Sequence, residues 1–128
     1  MPKWFNIKEQ PPTATDQWIE QWSCFEPKEE DWNRSAAGIG HYLLNTENEK
    51  RELHPAHAFP EVLFAFAGEG ILREGSRMTK IREGDMFFVT PGQAHLIWTT
   101  SKDPELTVVC FKVTSGEPGP WDKEPVVS

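Results

Sequence analysis

Apolar and β-branched residues fall in short runs, and eleven prolines and nine glycines spread along the chain interrupt them. This is the pattern of strands joined by turns. It predicts strands at 36–44, 61–67, 70–72, 77–81, 86–89, 95–99 and 106–114. Tight reversals separate them at Gly68-Glu69-Gly70, Glu74-Gly75-Ser76, Glu83-Gly84-Asp85, Pro91-Gly92 and Lys102-Asp103-Pro104. Helical spacing shows at 14–22, where Thr15 or Asp16 can cap and Trp18, Ile19 and Trp22 share one face. The expectation is an all-β sandwich or small barrel with a short N-terminal helix packed on its outside. Residues 1–35 form an N-terminal extension, 36–114 the barrel and 115–128 a proline-rich C-terminal tail that cannot continue a sheet. The charged stretch 25–35 reads as a solvated connection.

At 128 residues with 38% hydrophobic content, the chain can build one core. Its formal charge of −7, from 20 acidic and 13 basic side chains, leaves no basic stripe for a phosphate backbone, so nucleic acid is not an expected partner. No apolar run approaches a membrane span and the start lacks a signal-peptide core, which makes the expected compartment cytoplasmic. Cys24 and Cys110 are read as reduced, with Cys110 buried in the apolar run Thr107-Val108-Val109-Cys110-Phe111. Phe64, Phe66, Phe87, Phe88 and Trp98 are read first as core, with those beside the histidines walling a pocket. Gly-x-Ser-x-Gly, Walker and Cys-x-x-Cys motifs are missing, which removes hydrolase, nucleotidase and thiol-redox readings.

The chemistry concentrates in two windows beside strands, His54-Pro55-Ala56-His57-Ala58-Phe59-Pro60-Glu61 and Pro91-Gly92-Gln93-Ala94-His95. Two imidazoles and a carboxylate are a recurrent transition-metal donor set, and His57, Glu61 and His95 could supply it. On one straight strand His57 and Glu61 would stand roughly 13 Å apart. The chain must therefore bend between them, and Phe59-Pro60 gives it a place to do so. His54, His41 and Gln93 are further candidates for the pocket. A metal-free alternative stays open, in which the histidines are hydrogen-bonded at a barrel mouth and Glu61 pairs with a base such as Arg51 or Arg73.

These windows resemble the two motifs of the cupin superfamily over residues 53–113. His57, Glu61 and Gly68 match the second histidine, the glutamate and the glycine of the first motif. Gly84-Asp85, Pro91-Gly92 and His95 match the second. Pro55 stands where the first motif places its first histidine, and His54 is out of step by one. The resemblance implies a cupin-type double-stranded β-helix, a jelly-roll barrel of two antiparallel sheets closing over a pocket. It also implies a divalent transition metal such as Fe, Mn, Ni or Zn on His57, Glu61 and His95.

The spacing is also similar to the N-terminal ligand-binding domains of AraC-type regulators. Two functions follow from the resemblance: a metal-dependent enzyme of dioxygenase or isomerase type acting on a small metabolite, or a non-catalytic small-molecule sensor without metal. General acid–base work by the histidines and Glu61 is a third possibility. A homodimer is expected, paired through sheet edges, with Trp4 and Phe5 lying across the partner.

Overall fold

The computed structural model describes residues 4–25, 35–53, 61–89 and 92–113. Among them are nine strands: β1 Ala14–Thr15, β2 Ile19–Phe25, β3 Ser35–Tyr42, β4 Glu61–Ala67, β5 Gly70–Glu74, β6 Arg77–Ile81, β7 Met86–Val89, β8 His95–Thr99 and β9 Thr107–Val113. A six-stranded sheet runs β1-β2-β3-β9-β4-β7 and a three-stranded sheet runs β6-β5-β8, with every pairing antiparallel. The strands predicted from 36 onward lie where these do, within a few residues at their ends.

Alternation decides which side chains enter the space between the sheets. Along β4, Glu61, Leu63 and Ala65 are buried while Phe66 is exposed. Along β9, Val108, Cys110 and Lys112 are buried and Phe111 is exposed. With Tyr42, Leu72, Ile81, Val89, Ile97 and Leu106 the apolar members of these sets form one core. All five residues of β8 are buried, so this strand is covered on both faces.

The outer face of the large sheet is apolar in two complete cross-strand rows. Ala37, Phe111, Val62 and Phe88 stand opposite one another across β3, β9, β4 and β7, and so do Ile39, Val109, Phe64 and Met86. Phe66 and Phe88, expected in the core, therefore face outward at 40% and 55% exposure, whereas Trp98 is buried. Phe5, Asn6 and Ile7 border part of this face, leaving a groove of about 410 Å³ lined also by Cys24, Ile39, Val109 and Phe111.

The N-terminal helix expected over 14–22 is not what the chain forms. Those residues belong to β1, a turn and β2. Asp16 does cap, but Oδ1 accepts the N–H groups of Trp18 and Ile19 at 2.7 and 3.0 Å to close a side-chain-mediated turn. A helix N-cap uses the same chemistry, so the residue type could not tell them apart. Thr13, Thr15, Trp18, Ile19, Trp22 and Phe25 then carry strand preference on either side of the turn. Among the described residues the only helical turn is a 3-10 turn at Asn48–Lys50.

Candidate functional site

A buried pair of opposite charges stands where β4 begins. Glu61 opens β4, with Val89 opposite it on β7 and Lys112 opposite it on β9. Lys112 Nζ lies 3.4 Å from Glu61 Oε2, and the two side chains are 2% and 0% exposed. The ammonium points inward because Lys112 keeps the phase of Val108 and Cys110 on β9. Arg51, one expected partner of Glu61, instead lies 4.8 Å over the Trp18 ring, and Arg73 donates to the Gly75 carbonyl.

His95 opens β8 and is fully buried. It stands in phase with Ile97 and Thr99 and lies opposite Glu74 of β5. Its Nδ1 lies 3.3 Å from the Gln93 carbonyl. A carbonyl only accepts, so that contact assigns the proton to Nδ1. The Gln93 side chain is exposed and turned back on the Ala94 carbonyl at 3.4 Å.

Two more titratable side chains face the same interior. Burial, and after it the charge of Glu61, pushes the Tyr42 phenol well above its ordinary range, so it is a neutral hydroxyl at any ordinary pH. Burial pushes the Cys110 thiol up to about 12, with Glu61 adding to the effect and Lys112 opposing it. Cys110 is therefore an inert thiol.

His41 lies on the opposite face of β3 from Tyr42. Its ring is held between Glu20, 2.8 Å from Nδ1, and Glu105, 3.1 Å from Nε2. Glu105 also accepts the Leu44 N–H, so this cluster ties β2, β3 and the approach to β9 together. His54 and His57 lie outside the described residues. The structure buries Glu61 at the start of β4 and His95 at the start of β8, and places His41 and the Gln93 side chain away from the core. Lys112 and Tyr42 were not picked out from the sequence. The signal for Lys112 was a lysine in the apolar phase of Val108 and Cys110.

Residues 40–112 match the family model described as the cupin domain, over half of the chain. The chain belongs to the cupin family. Solved cupin-fold structures agree in architecture. HppE in its Fe(II) form is 14% identical with a TM-score of 0.67, over 84% of this chain and 58% of that one, so the chain spans little more than half of HppE. A predicted oxalate decarboxylase from Thermotoga maritima is 18% identical with a TM-score of 0.65, over 85% of this chain and 96% of that one. A Cupin 2 conserved barrel domain protein from Salinispora arenicola is 12% identical with a TM-score of 0.62, over 90% of both chains. At these identities the likeness is one of fold. No curated protein sequence matches the chain.

Cupins that hold a metal, as the Fe(II) form of HppE does, need an available donor set. Among the described residues no group of three or more His, Cys, Asp and Glu side chains could hold an ion. The carboxylate that would anchor one, Glu61, already faces the Lys112 ammonium at 3.4 Å. A divalent ion about 4 Å from that ammonium would meet a repulsion of about 8 kcal/mol at an effective dielectric near 20. The residues present do not fit an ion on Glu61 while Lys112 keeps its place and charge. Among the described residues no helix is long and apolar enough to cross a membrane.

Proposed function

We propose that this cupin is a cytoplasmic small-molecule-binding module whose ligand enters the Glu61 end of the barrel. The observation that carries this reading is the ion pair of Glu61 and Lys112 buried among apolar side chains. A buried pair seldom stabilises a protein more than apolar residues of the same volume would, so its use is sought in recognition. The pair offers a carboxylate acceptor and ammonium donors side by side with no net charge. A neutral ligand bearing hydroxyl or amide groups can accept from Lys112 and donate to Glu61, whereas an anion would bring an unpaired charge into a dry site. Ligand-induced melting shifts test this, using polyols and amides beside carboxylates of equal size. Neutral compounds should raise the melting temperature and lose that effect in Lys112→Met. A response confined to carboxylates, or one that survives the substitution, would reject the reading. The dioxygenase or isomerase alternative requires a resident transition metal, and elemental analysis of chelator-free protein decides it.

The homodimer expected from the sequence is proposed to form through the outer face of the large sheet, rather than through strand edges. The two apolar rows span four strands, roughly 15–19 Å across the strands and about 7 Å from row to row along them. With Phe66, Phe88, Phe111 and Met86 exposed on the same face, the rows make a contiguous apolar surface of the kind that marks interaction sites. A second copy is the occupant that charge favours: the chain carries −7 overall, yet none of the eight row residues is charged. A two-fold contact there brings no like charges together. A standard interface needs about 800 Å² per partner. The neighbouring groove and Trp4, 84% exposed, can supply the rest. Phe88→Asp and Phe111→Asp should each halve the mass seen by light scattering without unfolding the chain. A wild-type monomer at tens of micromolar, or a dimer that survives both substitutions, would refute this interface.

A further inference from the structure

We propose that the free edge of β6 is a docking site for an extended acidic segment of a partner protein, which adds to the small sheet as a further antiparallel strand. Neither the ligand site nor the two-fold contact proposed above is involved. The two sheets end on β1, β7, β6 and β8. β1 has two residues, β7 has four, and β8 is buried throughout. β6 has five, and Arg77, Met78, Thr79 and Lys80 are all exposed, so neither phase of this strand is covered there. The hydrogen-bond phase of the small sheet fixes what the edge presents. Thr100 N–H donates to the Glu69 carbonyl at 2.9 Å, one step beyond the β5–β8 pair of Gly70 and Thr99. Bonded pairs alternate along an antiparallel ladder, so Ile71 and Arg73 turn their main-chain groups to β8, while Leu72 and Glu74 turn theirs to Thr79 and Arg77 of β6. The N–H and C=O groups of Met78 and Lys80 therefore point away from β5, to the open edge.

Charge and shape select the occupant. Residues 70–82 hold four basic side chains, Arg73, Arg77, Lys80 and Arg82, against one acidic, Glu74, in a chain of net charge −7. Lys80 lies 3.6 Å from Glu69, but both are about half exposed and such a pair holds its members weakly. Asp85, on the turn to β7, accepts the Arg82 N–H at 2.7 Å. A cavity of about 230 Å³ opens beside the strand, lined by Thr79 and Ile81 of β6, Phe87 of β7 and Leu72. It has room for an aliphatic side chain reaching inward from a strand laid along β6. The fitting segment therefore carries acidic residues in the phase of Met78 and Lys80 and apolar ones in the phase of Thr79. A second copy of this chain is not the occupant, because two β6 edges paired about a two-fold axis would bring Arg77, Lys80 and Arg82 of both copies together.

The probe is a fluorescein-labelled heptapeptide, Glu-Val-Glu-Val-Glu-Val-Glu-amide, followed by fluorescence anisotropy. Wild type should bind it with a Kd of about 1–100 μM. The Gln-Val analogue should bind at least about tenfold more weakly, and so should the acidic peptide to Arg77→Glu/Lys80→Glu. Met78→Pro removes an outward N–H and no bond of the β5–β6 ladder, so it should stay folded and lose the peptide. Backbone methylation of the peptide separates strand addition from charge attraction alone. In an antiparallel addition the Glu N–H groups face β6, so N-methylating the glutamates should abolish binding, whereas N-methylating the valines should change it less than about threefold. Any other pattern in the two methylated peptides would overturn the proposal. So would a parent peptide that fails to bind below about 1 mM, or one that binds the charge-reversed protein as well as wild type. The methylated peptides are read on wild-type protein, so the decision does not depend on whether Met78→Pro folds.

Discussion

Lys112→Ala should destabilise the protein by about 3–5 kcal/mol, among the largest losses available to a single substitution in this chain. The change removes one partner of a pair shielded from water, at 2% and 0% exposure, and leaves the Glu61 carboxylate facing a cavity. Glu61→Ala should cost a similar amount by stranding the ammonium. The double replacement Glu61→Leu/Lys112→Met removes both charges and fills most of their volume, so it should recover most of the loss. Denaturant unfolding of the four proteins sets the broken pair against its apolar replacement, with midpoints that move while the slopes stay constant. Singles within 1 kcal/mol of wild type would mean that water reaches the pair. A double variant no better than either single would mean that packing around Lys112, and not its charge, holds this end of the barrel. The comparison also separates cost from use: a double variant as stable as wild type that no longer responds to ligand would show the pair is kept for recognition.

How much of this was legible in the sequence depends on what each residue type can signal. The strands of the barrel could be read because β4 and β9 alternate cleanly and glycine or proline turns bound them. Glu61 and His95 were singled out through motif spacing, and both are fully buried, at the starts of β4 and β8. Lys112 escaped because a charged residue in a strand is ordinarily assigned to the wet face. Only its phase with Val108 and Cys110 contradicts that, and phase becomes decisive once both faces of the strand are known. The helix over 14–22 failed for a different reason, since Asp16 closes a side-chain turn with the same hydrogen bonds that would start a helix. Phe66 and Phe88 were misplaced because the strand pattern shows that two faces differ without saying whether the outer one meets water or another chain. His41 illustrates pairing that no local pattern contains, as Glu20 and Glu105 reach it from distant parts of the chain.

The motif glycines supply the second large effect, and they separate two reasons for a glycine. Gly68 and Gly84 both have positive φ, +78° and +94°, which costs a residue with a side chain roughly 1–2 kcal/mol. At Gly84 a Cβ would meet nothing within 4 Å, so Gly84→Ala should lose only that conformational term. At Gly68 a Cβ would fall 2.5 Å from the Glu105 carbonyl carbon and the Leu106 nitrogen, where backbone has to move. That segment is fixed from several sides. Leu106 N–H donates to Thr99 Oγ1 at 2.9 Å, Ser101 Oγ donates to the Pro104 carbonyl at 2.7 Å, and the Leu106 carbonyl accepts the Tyr42 N–H at 2.9 Å. Gly68→Ala should therefore cost about 3–5 kcal/mol, at least about 1 kcal/mol more than Gly84→Ala. At the low end of an ordinary margin of about 5–15 kcal/mol, that leaves the first variant near unfolding and the second still folded. Equal losses in the two variants would mean that the approach of residues 105 and 106 to Gly68 is looser than this packing implies.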